Sequence, residues 1–469
     1  MKIMLTTPPA QTEIHSGMPK IFYDLRGVHP PMGLLYISSY LKKKKGIKNV
    51  SVYDIRGDRD GFKQAIKKIK NFSPDIIGVQ MFTMTASDVV KFLKSIKKMD
   101  SSIKTIVGGA HPTIFPKETI SLNCVDYIIL GEGERAFSNL VKNIEKGNPY
   151  PKIKSVGFKN GEEIYLNRES NKINDLDSIP LVDRSVLNLE KYKSSFSCDK
   201  RITSIVTSRG CPYNCIFCAK FQKKFRAHSP EYVVNDIEQS LELGIEEIFV
   251  VDDTFSLDLS RAKKICRLII ERKLDFNWYI STRVDTVDKE LLQLLNRAGC
   301  KQINYGIESG SQKIIDNLNK GIDLEKAKET IRKTKEAGIQ VLCYFMIGLP
   351  GETSKELNET RKFIKEADID FVRFSVTTLE PATKLYSMAL NRGVLKKDIW
   401  LEFAKNPTGD IEVPVWDENF SKEELNNFLA EFSKKHYLNP KFLIKSLLDV
   451  RSPKELIYGL ISFFKLLKL

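Results

Sequence analysis

Over the first ~147 residues, short β-branched apolar runs alternate with stretches whose apolar residues recur every three or four positions. The runs at 2–7, 50–55, 75–81, 105–109 and 127–131 predict strands. Stretches 33–45, 61–72, 86–99 and 134–147 predict helices, and the helix before the last strand is short at best. Strands this apolar, separated by helices, predict an α/β unit: a doubly wound parallel sheet covered on both faces. Such a sheet binds ligands at the carboxyl ends of its strands. Residues 148–200 turn polar, with scattered Pro, Gly and Asn, and read as a linker with a small hairpin at 157–166. A second alternation follows. Strands are predicted at 202–207, 247–251, 278–282, 302–307, 340–347 and 371–376, with amphipathic helices between them. Six such units are fewer than the eight of a closed barrel, so 201–390 predicts a partial (β/α)6 barrel with an open mouth. Residues 391–469 read as mostly helical, with Trp400, Trp416 and a basic, apolar terminus.

Composition narrows this only slightly. The chain has 469 residues, 42% apolar and 28% charged, which is globular and excludes a mostly disordered protein. No run approaches the length of a membrane-spanning helix, and the first residues do not read as a signal peptide. A cytoplasmic location follows as an expectation. The net charge is +15, from 74 basic and 59 acidic residues. Most lysines fall in the polar phase of amphipathic helices, so solvated helix faces account for the charge better than a nucleic-acid or anionic-membrane partner does.

The strongest chemical signal is Thr207-Ser-Arg-Gly-Cys211-Pro-Tyr-Asn-Cys215-Ile-Phe-Cys218, three thiols spaced C-x3-C-x2-C just after the first barrel strand. Thiolates select soft metals, zinc or an iron–sulfur cluster. A structural zinc site usually takes four ligands, and no fourth lies nearby. Cys124, Cys198, Cys266, Cys300 and Cys343 are scattered. Three thiolates suit a four-iron cluster whose last iron stays open to a small molecule.

At these residues the sequence resembles the radical S-adenosylmethionine (SAM) enzymes. The resemblance implies a [4Fe–4S] cluster on Cys211, Cys215 and Cys218 that chelates SAM, cleaves it reductively and releases a 5′-deoxyadenosyl radical. Phe217 would then lie near the adenine. Further motifs sit at successive strand ends. Val250-Val-Asp-Asp253 suits the methionine part of SAM, with a helix cap as the alternative. Ser281-Thr-Arg283-Val-Asp285 offers Arg283 to the SAM carboxylate, or to a structural pair with Asp285. Tyr305-Gly-Ile-Glu308-Ser309 offers Glu308 to ribose hydroxyls, or as a loop bridge. Phe345-Met346-Ile-Gly348-Leu-Pro-Gly351 lets backbone approach the adenine. The chain departs from its relatives at Pro381-Ala-Thr, where they tend to carry Pro-Gly-Thr.

The N-terminal unit lacks both G-x-G-x-x-G after its first strand and a G-x4-G-K-[ST] loop, which disfavours nucleotide binding of those kinds. Its pattern looks like the cobalamin-binding domain fused to many radical SAM enzymes. The matching stretches are Pro30-Pro-Met-Gly-Leu-Leu-Tyr36, Gly78-Val-Gln-Met81-Phe-Thr83, Gly108-Gly109-Ala-His111-Pro-Thr113 and Gly131-Glu132-Gly133-Glu134. The resemblance implies that the paired glycines admit the cobalamin nucleotide tail, with Met81, Thr83 and the loops facing the corrin. No Asp-x-His-x-x-Gly follows the first strand, so a histidine below cobalt is not expected, and His111 is a weak candidate ligand.

From Lys434 onward there are eight Lys/Arg against Asp449 and Glu455. Leu456, Ile457, Leu460, Phe463, Phe464 and Leu467 share one helical arc, flanked by Lys454, Lys465 and Lys468. That pattern fits a helix in a membrane interface, or one docked on the protein's own core. The reading is a cobalamin-dependent radical SAM enzyme, expected to be a methyltransferase acting on an unactivated carbon of a small-molecule or lipid-like substrate. It would take electrons from a donor such as flavodoxin or ferredoxin. The alternatives are a radical SAM cyclase of the magnesium-protoporphyrin ester type, and a non-catalytic RNA- or membrane-binding iron–sulfur protein. No RNA-binding aromatic signature is present, so nucleic acid is not an expected partner.

Overall fold

The computed structural model describes residues 1–9, 14, 17, 28–194, 200–219, 221–408, 411–448, 456, 457, 459–461, 463 and 467. Two compact units emerge. One comprises Met1–Ile14, Val28–Tyr192 and Lys397–Glu412; the other His15–Gly27, Lys193–Lys396 and Val413–Leu469.

In the first unit, β1 (Ile3–Thr6), β2 (Val50–Tyr53), β3 (Ile76–Gln80), β4 (Lys104–Gly108) and β5 (Tyr127–Ile129) run parallel in the order β2-β1-β3-β4-β5. This is a doubly wound sheet whose strand order reverses between β1 and β3, the position where such sheets open a ligand crevice. Its strands are buried on both faces, as their unbroken apolar runs require. The helix Ala86–Met99 buries Val89, Val90, Phe92, Leu93 and Ile96, one stripe at helical spacing. Two short helices, Ala110–Ile114 and Pro116–Ile120, fill the β4–β5 connection. The hairpin expected within 148–200 forms as β6 (Val156–Asn160) and β7 (Glu163–Leu166). It adds to the same sheet, antiparallel, beyond β5. Val156 and Phe158 are buried there, so joining the sheet covers apolar surface that a free hairpin would expose. The helix Ile399–Lys405 packs against Pro116–Ile120 and places Trp400 in this unit's core.

In the second unit, β8 (Ile202–Ile205), β9 (Ser208–Arg209), β10 (Arg226–Ala227), β11 (Glu247–Val250), β12 (Asn277–Thr282), β13 (Cys300–Glu308), β14 (Gln340–Ile347) and β15 (Phe371–Val376) follow one another. Six of them form a parallel sheet in the order β8-β11-β12-β13-β14-β15; β9 and β10 form a separate antiparallel ribbon. Sequential order with a helix after each strand is the partial barrel that the spacing predicts. The helices start where the sequence supplies caps. Ser229, Asp258, Asp288 and Asp323 each accept from the backbone N–H three residues on, and Thr353 forms a capping box with Glu356. The helix Lys422–Tyr437 covers β15, burying Leu425, Leu429 and Phe432. Burial of three such side chains stabilises by about 1.5–3 kcal/mol each.

No helix among the described residues is long and apolar enough to cross a membrane. Leu456, Ile457, Leu460 and Leu467 are exposed and Phe463 is partly buried. Lys454, Phe464, Lys465, Lys468 and Cys198 lie outside the described residues.

Candidate active site

The cysteine motif occupies the loop between β9 and β10, at the carboxyl end of β8. The ribbon clamps its base: Arg209 pairs with Arg226, and Cys211 N–H donates to Gln222 O at 3.2 Å. Gly210 takes φ +89°, and a Cβ there would meet Lys224 O at 2.5 Å, so the turn into the loop admits only glycine. The loop's middle is seated on a distant segment. Ile216, buried, donates its N–H to Leu318 O at 3.0 Å, and Asn319 Nδ2 donates to Asn214 O at 2.9 Å.

Asp252, at the end of β11, fixes the loop's entry. It accepts from Thr207 N at 2.6 Å and Ser208 N at 3.0 Å, from Ser208 Oγ at 2.7 Å, and from the Thr207 hydroxyl. Burial pushes its carboxyl above the usual range, opposed by these bonds. Asp253, the residue expected near the methionine part of SAM, is exposed at the same strand end.

The remaining expected residues sit on the next strands. Arg283 leaves β12 with its guanidinium 3.7 Å from the Tyr213 ring centroid. It also makes a two-point contact with Asp285, at 2.9 and 2.8 Å, and donates to Lys320 O at 2.8 Å. Its structural pairing with Asp285 is therefore made, and it reaches the cysteine loop as well. Ser281 Oγ accepts from Asn304. Glu308 ends β13, buried, 2.7 Å from Lys320 Nζ. Ser309 is fully buried, and its hydroxyl lies 3.3 Å from that of Thr360 on the following helix, so its side chain is engaged there. Phe217, partly buried, lies 5.5 Å from Lys320 Nζ. Met346 is partly buried on β14, and Gly348 follows that strand at φ +80°. Gly348 and Leu349 donate their N–H groups to Glu352 Oε2 at 2.8 and 3.2 Å, folding the exit loop. Burial pushes Glu352 up to about 7, and its Oε1 has no hydrogen-bond partner among the described residues.

The motifs thus identify four strand ends. Tyr213 and Lys320 act across long sequence separations; Tyr213 stands inside the cysteine motif and Lys320 inside none. Glu352 acts locally, on the backbone of the same exit loop.

The donor set fits an iron–sulfur cluster chemically. Three thiols share one loop, Cys211 and Cys215 partly buried and Cys218 exposed, whereas Cys124, Cys266, Cys300 and Cys343 are buried. Among the described residues no three His, Cys, Asp or Glu side chains converge on a point that a metal ion could occupy. The fit therefore rests on donor chemistry and loop placement.

In the first unit the expected residues cluster at the carboxyl ends of β3, β4 and β5. Met81 N–H donates to Gly108 O at 2.8 Å, and His111 N–H donates to Met81 O at 3.1 Å. The Thr113 hydroxyl donates to Gly109 O and accepts from Gly131 N, joining the two glycine loops. Gly109 takes φ +117°, and a Cβ there would meet Met81 O at 2.7 Å. Gly131 opens onto solvent, Glu132 accepts from Ile173 N, and Gly133 and Glu134 begin the next helix. Gly131 leaves open backbone at this edge, which suits a cofactor tail lying close against it, whereas the space beside Gly109 and Gly133 is taken by Met81 O and the Ile37 side chain. His111 is fully buried, with Nδ1 3.2 Å from the Thr83 hydroxyl and Nε2 without a hydrogen-bond partner among the described residues. Burial pulls its pKa down to about 4, so it is a neutral, enclosed imidazole.

Comparison with known proteins agrees with both halves. Residues 21–141 match the B12 binding domain and residues 205–364 the radical SAM superfamily. An uncharacterized methyltransferase of Pyrococcus horikoshii is 31% identical over 454 residues, 96% of this chain and 95% of the relative. The anaerobic magnesium-protoporphyrin IX monomethyl ester cyclase of Cereibacter sphaeroides is 30% identical over 397 residues, 82% of this chain and 63% of that enzyme. In fold, the chain resembles the cobalamin-dependent SAM radical enzyme OxsB, solved with aqua-cobalamin and SAM bound. The TM-score is 0.74 at 18% identity, covering 99% of this chain and 72% of that one. The chain belongs to the cobalamin-binding radical SAM enzymes, whose cofactors are a [4Fe–4S] cluster, SAM and cobalamin.

Proposed function

We propose that this enzyme methylates an unactivated carbon of a small-molecule or lipid-like substrate. When bound, the cofactors supply an electron that cleaves SAM to a 5′-deoxyadenosyl radical, and a methyl group carried by cobalamin. Cys211, Cys215 and Cys218 would hold three irons of the cluster. Arg283 and Glu308 would orient the two ends of SAM, and the glycine edge of residues 108–109 and 131–133 would hold the cobalamin tail. The observation that carries this reading is the cysteine loop held at the carboxyl end of the barrel beside Arg283 and Glu308. The electron would come from a reductant such as flavodoxin or ferredoxin.

The test is anaerobic. The protein is reconstituted with iron, sulfide and cobalamin, given reductant, SAM and candidate substrates, and assayed for 5′-deoxyadenosine and S-adenosylhomocysteine. Both products, with the homocysteine product dependent on cobalamin, are expected. Deoxyadenosine alone would overturn methyl transfer and favour the second reading, a radical cyclase, which the 30% identity to the porphyrin ester cyclase supports.

A peripheral contact with anionic membrane is part of the proposal. The helix Pro440–Leu448 docks through Lys441 on Asp368, Lys445 on Asp370 and Phe442 on Phe371, leaving Ile444 and Leu447 exposed. With Leu456, Ile457 and Leu460 they form the apolar part of a terminus carrying eight basic residues against two acidic ones. Asp368 and Asp370 precede β15, so this helix lies at the amino end of the strands. Membrane contact there would not deliver a lipid directly to the cysteine loop at the opposite end. Co-flotation with anionic but not neutral vesicles, lost on deletion of 454–469, is expected; no flotation of the intact protein would overturn it.

A further inference from the structure

Glu308 and Lys320 form a buried ion pair for which the fold makes several local concessions. Glu308 is a non-glycine residue at φ +73°, a conformation that costs about 1–3 kcal/mol. The β13–β14 register shifts between Gly306 and Glu308, so an irregularity re-aims this side chain. At Gly306, a Cβ would meet Glu308 Oε1 at 2.5 Å and Lys320 Nζ at 3.0 Å, so the pair occupies the space of the missing side chain. A purely structural pair is a poor return for this. Buried pairs stabilise little against apolar replacements, because desolvation offsets their attraction.

Lys320 is also the end of the segment on which the cysteine loop rests. Leu318 O and Asn319 Nδ2 bind the loop's backbone, and Lys320 Nζ lies over Phe217. Lys320 O accepts from Arg283, whose guanidinium stacks on Tyr213 of the same loop. One short segment therefore touches both aromatic residues of the cysteine motif, directly or through Arg283, and the carboxylate at the end of β13. Lys320 Nζ takes Glu308 Oε1; Oε2 has no hydrogen bond among the described residues.

We propose that Lys320 is a positioning residue: it fixes Glu308 Oε1 so that Oε2 is held ready to accept from the ribose diol of SAM, in register with the cysteine loop. This rests on the radical SAM reading of the site and on the assignment of Glu308 to the ribose. A carboxylate with one oxygen anchored loses less rotamer freedom on binding a diol than an unanchored one.

The experiment is a double-mutant cycle on the reconstituted, cluster-loaded protein. Lys320→Met, Lys320→Arg, Glu308→Gln and Glu308→Gln/Lys320→Met are compared with wild type. The readouts are iron content, SAM affinity by equilibrium binding, and the SAM-induced change in the spectrum of the reduced cluster. Lys320→Met is expected to load iron as wild type does but to bind SAM at least tenfold more weakly. Lys320→Arg should recover most of that loss. In the Glu308→Gln background, Lys320→Met should weaken SAM binding no further. If Lys320→Met does not fold, the double variant, which removes both buried charges, carries the comparison with Glu308→Gln. Unchanged SAM affinity in Lys320→Met, or an equal loss in both backgrounds, would overturn the proposal while leaving the radical SAM reading intact. Wild-type protein that loads iron but binds no SAM would overturn both.

Discussion

The guanidinium of Arg283 lies face-on to the ring of Tyr213, 3.7 Å from its centroid, and so joins the end of β12 to the cysteine loop. Arg283 is buried, and cation–π contacts of desolvated cations contribute about 2 kcal/mol. Tyr213→Leu should leave the fold intact but loosen the loop, shown as faster iron loss to a chelator after reconstitution. Tyr213→Phe keeps the ring and should behave as wild type. Equal iron loss from the Phe and Leu variants would exclude the stacking contact as the cause.

Asp252 and Asp253 are adjacent in sequence and unequal in consequence. Asp252→Asn can keep Oδ1 for the Thr207 and Ser208 backbone N–H groups, but its N–H₂ forces both hydroxyls to reverse from donating to accepting and gives up the charge-assisted bonds. A loss of about 1–3 kcal/mol is expected by chemical denaturation. Asp253→Asn, at an exposed side chain, should stay within about 0.5 kcal/mol.

Glu352 gives a pH signature. Its carboxyl titrates near 7 in the folded chain, against an ordinary 4.5, because burial disfavours the charged form. The folded state therefore holds a proton that the unfolded state releases. The resulting stability is full below about pH 4.5 and declines as pH rises toward 7, by about 3 kcal/mol in all. Glu352→Gln cannot lose a proton and should keep the backbone acceptor for Gly348 and Leu349. Its melting temperature should rise relative to wild type between pH 5 and 8; a constant difference across that range would contradict the buried, protonated carboxyl.

Ala382, a non-glycine residue, adopts φ +61°. The left-handed region costs an alanine about 1–2 kcal/mol, partly offset by the greater freedom of glycine in the unfolded chain. Ala382→Gly should therefore be neutral to stabilising by about 1 kcal/mol, measured by thermal unfolding. A clear destabilisation would mean that the alanine methyl makes packing contacts outweighing the strain.

Gly109→Ala tests the proposed cobalamin edge. Its Cβ would stand 2.7 Å from Met81 O at a φ that alanine avoids. Shifting the β3 and β4 exits should lower cobalamin binding at least tenfold, read from the visible absorption of protein-bound cobalamin. Gly131→Ala, with open space around it, should change binding less.

The amino-acid sequence by itself determined the two parallel sheets, the order of their elements and the three-thiol motif. Those signals are local: β-branched runs, helical periodicity, caps such as Asp258 and Thr353, and thiols within eight residues of one another. The tertiary structure decided what those elements hold together. It attached the 156–166 hairpin to the first sheet, made Asp252 rather than Asp253 the buried clamp of the cysteine loop, and turned Ser309 toward Thr360. It also brought Lys320 to Glu308 and Phe217, which lie 12 and 103 positions away. Nothing local marks Lys320, because a lysine in a polar loop looks like any solvated lysine. Only the convergence of β13, the 318–320 segment and the cysteine loop at one barrel end removes water from it, and loss of that water makes its pairing specific.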